Sequence, residues 1–282
     1  MKLLAPLPLF VLVCACLAPL MAQHQVEKPI PDIHLLVQEV AAHQKQLDEI
    51  RESYTYTSSQ TIQDIDKNGR VKKAETVEHE DFFVNGHIIE RTVKKDGQPL
   101  TGHDLEKENE RVTKMVEKAE KTPRGKPLEG PSITISCLLD LMEVRNPRRE
   151  MFRGRPTIVF DFVGRKDAKT HGLAEDASKK LAGTLWIDEA DRQVARLQVH
   201  FEDDFGIAGG LLAKIQKGSN FSFEQAAQEG GLWLPTGGEG LMQARILLLK
   251  SVRQHFIERD NGYKRFKVET QQTRTANEET QR

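Results

Sequence analysis

Between residues 32 and 52, apolar side chains recur at Ile33, Leu36, Val37, Val40, Leu47 and Ile50, preceded by Pro31 and Asp32. Spacings of three and four predict an amphipathic helix with one face turned inward and a start signal at Asp32. The period then changes. Residues 54–62, 71–84 and 87–94 are rich in β-branched and aromatic side chains, are divided by Asn68-Gly69 and Asn85-Gly86, and are followed by Asp96-Gly97. Runs of this kind, punctuated by Asn-Gly and Asp-Gly, predict a meander of β-hairpins.

Residues 104–121 are charged, with a narrow stripe at Leu105, Val112, Met115, Val116 and Ala119 and with Glu110–Lys114 and Glu117–Lys121 one turn apart. A largely exposed helix is expected. Prolines and glycines crowd 123–131, which reads as a linker. From Ser132 as a possible N-cap to Val144, ahead of Pro147, nearly every side is apolar, which predicts a buried helix. Strands are then expected at 157–163, 183–188, 194–201, 221–227, 231–235, 243–258 and 263–270, with turns at Glu229-Gly230-Gly231, Gly237-Gly238 and Asp260-Asn261-Gly262. Within 194–201, Ala195, Leu197, Val199 and Phe201 share one face while Arg196, Gln198 and His200 share the other, as in an antiparallel sheet with one wetter side. No βαβ alternation occurs. The order therefore predicts an α+β fold: a strongly curved antiparallel β-sheet, an incomplete barrel, with helices on its concave face.

The first 22 residues form a separate unit: Lys2, an apolar run broken by Pro6, Pro8 and Pro19, then Ala22 before polar residues. This is the order of a secretion signal cut after Ala22, and the prolines argue against a spanning anchor, which needs ~20 uninterrupted apolar residues. Val13-Cys14-Ala15-Cys16 offers an alternative, a lipid anchor through Cys16. The expected product is an exported, periplasmic protein with one domain over 23–273, a helical insert at about 103–146, and a polar, disordered tail over 274–282. Removal of 22 of the 282 residues leaves 260 and the single cysteine Cys137, so stability must come from an apolar core rather than from disulfides.

Charge and motifs exclude several functions. The 41 basic and 42 acidic residues are scattered, which argues against nucleic acid, and no apolar run after the signal is long enough for a membrane span. The nine histidines are dispersed, and His79-Glu80 lacks a second histidine four residues on, so no metal is expected. Cys137 lies among apolar residues and reads as an inert thiol. Gly-x-Ser-x-Gly and phosphate-cradling loops are missing, and the acids Asp203, Asp204, Glu189 and Asp191 fall at turns. Neither enzymatic activity nor a cofactor is expected. What stands out is apolar: residues 207–215 would form either a mobile flap over a greasy opening or a capping loop packed shut on the core. Trp186 and Trp233 would line a core or a cavity wall. If the helix over 132–144 fills its groove only in part, an apolar cavity remains, lined by Leu138, Leu141, Met142, Trp186, Leu211, Leu212, Ile215 and Trp233.

Gly183-Thr-Leu-Trp-Ile-Asp188, an acidic turn, Val194-Ala-Arg-Leu197, Gly231-Leu-Trp-Leu-Pro235 and Tyr263-Lys-Arg-Phe266 together resemble bacterial envelope proteins of the outer-membrane lipoprotein carrier (LolA-like) fold, most closely over 157–268. The resemblance implies an incomplete, curved antiparallel barrel with helices in its mouth and an apolar cavity for acyl chains. Members include a lipoprotein chaperone, a lipoprotein acceptor and envelope-stress sensors. Arg192 and Arg196 lie near the relevant hairpin, but no motif matches either to the carrier's functional arginine. Two functions follow as expectations: a periplasmic non-enzymatic binding protein holding an acyl chain, lipid or lipidated partner, or an envelope sensor or protein-interaction module with a fully packed core.

Overall fold

The computed structural model describes residues 28–129, 135–247 and 249–265. The secretion signal, Cys16, Ser132 and the polar tail lie outside the described residues.

The first helix, α1 (Ile33–Arg51), starts where Asp32 caps it: one carboxylate oxygen accepts from the amides of His34 (2.8 Å) and Leu35 (3.1 Å). The meander follows as β1 (Tyr54–Ile65), β2 (Val71–Val84), β3 (His87–Lys95) and the two-residue β4 (Gln98–Pro99), with Asn85 and Gly86 both at positive φ in the β2–β3 turn. The charged helix is α2 (Gly102–Lys121). Beyond it stand α3 (Ile135–Asp140), β5 (Met142–Phe152), β6 (Arg155–Gly164), α4 (Leu173–Ser178), β7 (Leu181–Asp188), β8 (Val194–Phe201), β9 (Phe205–Ile207), β10 (Ala213–Ile215), β11 (Asn220–Ala227), β12 (Trp233–Ile246) and β13 (Lys250–Arg265).

These strands make one antiparallel sheet in the order β4-β3-β2-β1-β13-β12-β11-β8-β7-β6-β5, with β9 and β10 attached beside β12. The end strands do not pair with each other, so the sheet is open, and the α+β class holds. The meander swings round to pair β1 with β13, which joins the two halves of the chain into one sheet. Among the described residues no helix is long and apolar enough to cross a membrane.

Four expectations are corrected. The apolar run over 132–144 is helical only across α3; Met142 and Val144 already belong to β5, whose Pro147 sits in a bulge between Arg145 and Arg148 on the outermost strand. An edge bulge has no ladder hydrogen bond for proline to remove, so Pro147 shapes a strand rather than ending a helix. Gly237-Gly238 is no turn: β12 runs straight through it. Asp260-Asn261-Gly262 likewise lies inside β13, opposite an irregularity between Thr55 and Thr57. The turn falls instead at Leu247 and Leu249, within what reads by composition as a single strand over 243–258.

Cross-strand partners share a face, so the register reveals the layers. Ile158, Phe160, Phe162, Leu185, Leu197 and Val199 face inward, and α1 and α3 close over them with Leu36, Val40, Leu138 and Leu139. Every one of these side chains is at most 5 % exposed.

Candidate functional site

The inner face changes character along the sheet. The register Phe221–Gly240–Phe256–Ile62 continues the apolar side, and one step along it runs Phe223–Gly238–Glu258–Gln60. The next inward positions are Ser58 opposite Asp260 on one side and His79 on the other, then Tyr56 opposite Asp81, and Asp81 opposite Glu90. Helix α1 follows the same gradient. Its buried positions Leu36, Val40, Gln44 and Leu47 end in Arg51. Gln44 meets buried Gln225, whose amide donates to Gln44 (3.3 Å) and to the Val194 carbonyl (3.0 Å). Arg51 donates to Gln225 and to Asp48, the latter at 3.0 Å.

Four acids from three strands thus converge: Asp81 on β2, Glu90 on β3, and Glu258 and Asp260 on β13, beside Tyr56 and Tyr263, whose rings stack at 4.8 Å. Tyr263 is anchored by its hydroxyl to the Pro235 carbonyl (2.9 Å). Asp81 is 1 % exposed. Burial pushes its carboxyl up to about 7, against a pull from Ser58, and the charges of Glu90 and Glu258 add to the rise. Burial likewise takes Asp260 up to about 7, helped by Glu258, Asp81 and Glu90. Glu258 is raised by burial and by Glu90. Desolvation disfavours a charged carboxylate and like charges reinforce it, so the cluster holds protons at neutral pH that isolated acids would lose. Among the described residues none of Asp81, Glu258 and Asp260 forms an ion pair. Burial lowers the Arg51 guanidinium and raises the Tyr56 and Tyr263 hydroxyls. Perturbed groups gathered in this way mark a functional candidate. The chemistry they offer is recognition of a cation, through carboxylates and aromatic faces.

The side chains expected to line a common cavity are not brought together. Leu138 and Met142 belong to the packed core and Leu141 is buried beside them. Trp233 is buried in a second cluster with Leu47 and Ala195, its indole donating to Asp191 (3.0 Å). Trp186 packs against this same cluster, under the Arg196 guanidinium at 5.5 Å, and donates to Glu150 (3.3 Å). Leu211 and Leu212 are 63 % and 55 % exposed, in the turn of the β9–β10 hairpin that Ile215 helps to form. Residues 207–215 thus form the β9–β10 hairpin, with the leucines at its tip exposed.

A depression of about 570 Å³ opens on the outer face and is lined in part by Arg145, Asp161, Thr184, Gln198 and His200, a polar set. Arg192 approaches Glu39 (3.8 Å), and Cys137 is a half-buried thiol that donates to Glu175 (3.7 Å) and is raised by burial and by that carboxylate. Among the described residues no group of three or more His, Cys, Asp or Glu side chains is placed to hold a metal ion.

Sequence reasoning misses the acidic cluster because its members are spread from Asp81 to Asp260 along the chain and Asp260 reads as a turn. One signal was present. Strand β1 has polar residues on both faces, Tyr54-Thr-Tyr-Thr-Ser-Ser-Gln-Thr, which a strand over a purely apolar core would not show.

No protein-family model matches the chain, and no curated protein matches it. Among solved structures it is similar to a putative outer membrane lipoprotein-sorting protein domain from Vibrio parahaemolyticus, at 9 % identity and a TM-score of 0.37, covering 82 % of this chain and 94 % of that one. It is similar to a DUF1329 family protein from Desulfovibrio piger at 10 % identity and a TM-score of 0.35, covering 83 % and 92 %. A chain of the Pseudomonas aeruginosa MucA/MucB complex shows 10 % identity and a TM-score of 0.25, covering 82 % and 100 %.

Proposed function

We propose that this protein is a non-enzymatic binding module of the bacterial envelope with a packed core, and that it takes a cationic segment of a partner protein against the acidic half of its inner face. The observation that carries the reading is the convergence of Asp81 on β2 with Glu258 and Asp260 on β13, across β1 between them, without an ion pair among the described residues. A lysine or arginine from a partner supplies the missing charge, and Tyr56 and Tyr263 add ring faces for it. Binding of a cation favours the ionised carboxylates and so releases protons, which couples affinity to pH.

An internal acyl-chain site is the first of the two readings of the sequence. It needs a void between α1, α3 and the sheet, where Leu36, Val40, Leu138, Leu139, Phe160 and Phe162 are at most 5 % exposed. The surface reading therefore takes precedence.

A photocrosslinking amino acid at Gln60, which lies opposite Glu258, tests the proposal in cells that secrete the protein. One discrete adduct is expected, weakened at least tenfold by the Glu258→Gln/Asp260→Asn pair. Absence of an adduct, or an adduct indifferent to the pair, overturns the reading. Native mass spectrometry of the secreted protein that finds a bound lipid restores the acyl-chain alternative.

A further inference from the structure

A group of exposed leucines stands at neither the inner nor the outer face but at the tips of two hairpins. Leu249 is 91 % exposed, Leu211 63 %, Leu247 62 % and Leu212 55 %. The two tips are one surface. Strand β10 pairs with β12, Ala213 opposite Ile246 and Lys214 opposite Arg245, and the Leu247 amide donates to the Leu212 carbonyl at 3.0 Å. Both turns point the same way from this shared ladder. Leu247 adopts φ +48°, a left-handed conformation that turns ordinarily give to glycine or asparagine, so a leucine is held there at a conformational cost. Contiguous exposed apolar side chains on a strained, paired scaffold mark an interaction surface.

The charges behind the tips indicate what it meets. Two residues in from the leucines stand Lys214 and Arg245, and Lys250, next to Leu249, opposes Ile246. Arg245 and Lys250 are exposed. The acid at this level, Asp204, is taken up by Lys214 (2.6 Å) and by the Lys217 amide (2.9 Å). Beside the tips, a depression of about 500 Å³ carries Lys67, Lys72 and Arg253 with Asp66. Leucines in front and a basic ring one level behind match a bilayer, in which acyl chains lie beneath anionic headgroups. A protein groove would be met as well by leucines alone; it would not require the basic ring.

We propose that the paired tips at Leu211-Leu212 and at Leu247 and Leu249 dock the protein peripherally on a membrane rich in anionic lipid, with Lys214, Arg245 and Lys250 at headgroup level. The tips lie at the start of β13, whereas the partner site gathers farther along β13, at Glu258 and Asp260, and on β2 and β3.

The test is flotation of the secreted protein, carrying Cys16→Ser to exclude an acyl anchor, with vesicles of phosphatidylcholine alone or mixed about 2:1 with phosphatidylglycerol. The protein is expected to float with the mixed vesicles, at least tenfold less with phosphatidylcholine alone, and to be released by high salt. Leu211→Ser/Leu212→Ser/Leu247→Ser/Leu249→Ser should lower binding at least tenfold with an unchanged circular dichroism spectrum. Arg245→Glu/Lys250→Glu, which leaves the leucines in place, should abolish the preference for anionic vesicles. Failure of the parent protein to float, or equal flotation of the leucine variant, overturns the proposal. So does a dimer by light scattering that the serine changes dissociate, since the tips would then cover a second copy.

Discussion

The carboxylate of Glu108 accepts the backbone amide of Thr92 at 2.7 Å, so a helix does for β3 what a neighbouring strand would do. Arg111, one turn along α2, donates to the Glu90 carbonyl and to both oxygens of Glu108. Residues 90 and 92 point the same way along the strand, toward the edge that two-residue β4 leaves open. An uncovered edge invites pairing with other chains.

Glu108→Ala should therefore cost about 1–3 kcal/mol, because a buried amide loses its acceptor and Arg111 loses its partner. Chemical denaturation measures the loss. Light scattering near the midpoint should show earlier aggregation than for Glu108→Gln, which retains an acceptor oxygen.

The cluster at Asp81 and Asp260 makes stability depend on pH in an uncommon direction. Both folded-state carboxyls titrate at about 7, above the ordinary range for aspartate. Their contribution is therefore fully present below the unfolded value and is lost as pH rises through about 7. Carboxyls held low in the fold act elsewhere: for Asp188, burial is outweighed by Arg155 and by the Asp191 and Ala190 amides, so its contribution is lost only as pH falls below the usual carboxylate range. Between those limits, the melting temperature should rise by several degrees from pH 8 to pH 5. Asp81→Asn/Asp260→Asn should flatten that rise and stabilise the protein at pH 8 by about 1–2 kcal/mol, discounted for solvent screening. An unchanged slope would place the titration on other groups.

Leucines at the two ends of the exposure scale should respond oppositely. Leu36, 1 % exposed between α1 and the sheet, should cost about 2–5 kcal/mol on change to alanine. Leu211, 63 % exposed, should cost within about 0.5 kcal/mol. Urea midpoints of the two variants check this. A large loss at Leu211 would mean that the tip supports the fold rather than serving a surface.

Much of the architecture was legible because local periods and tertiary environment agree where a helix or strand has one buried face. Asp32 and the α1 stripe, the Asn85-Gly86 hairpin and the alternation in β8 are of this kind. The failures have a common physical origin in reading glycines and apolar runs without their neighbours. Gly237 and Gly238 look like a turn, yet they are strand positions where adjacent backbones come too close for a side chain. Leu247 and Leu249 look like strand interior, yet they form a turn, because no composition rule anticipates leucine at positive φ. The leucines of the β9–β10 tip were noticed from sequence as unusual, but only the pairing of β10 with β12 joins them to the second tip. The acidic cluster depends wholly on register across four strands.

Two glycines in this region separate crowding from backbone strain. Gly237 has φ +129°, and a Cβ there would lie 2.1 Å from the Glu258 carbonyl oxygen. Gly262 has φ +67°, and a Cβ there would meet only the Thr57 hydroxyl, at 3.7 Å. Gly262→Ala should therefore cost only the strain of a left-handed residue, about 1–2 kcal/mol. Gly237→Ala must also push β13 away from β12 at Glu258, adding about 1–3 kcal/mol. Because that displacement opens the acidic cluster to water, Gly237→Ala should also bring the carboxyls back toward their ordinary range and weaken the rise in melting temperature on acidification. Gly262→Ala should leave the rise intact. Melting curves of both variants at pH 5 and pH 8 check the pair, and equal losses with equal pH slopes would show that the β12–β13 contact does not hold the carboxylates out of water.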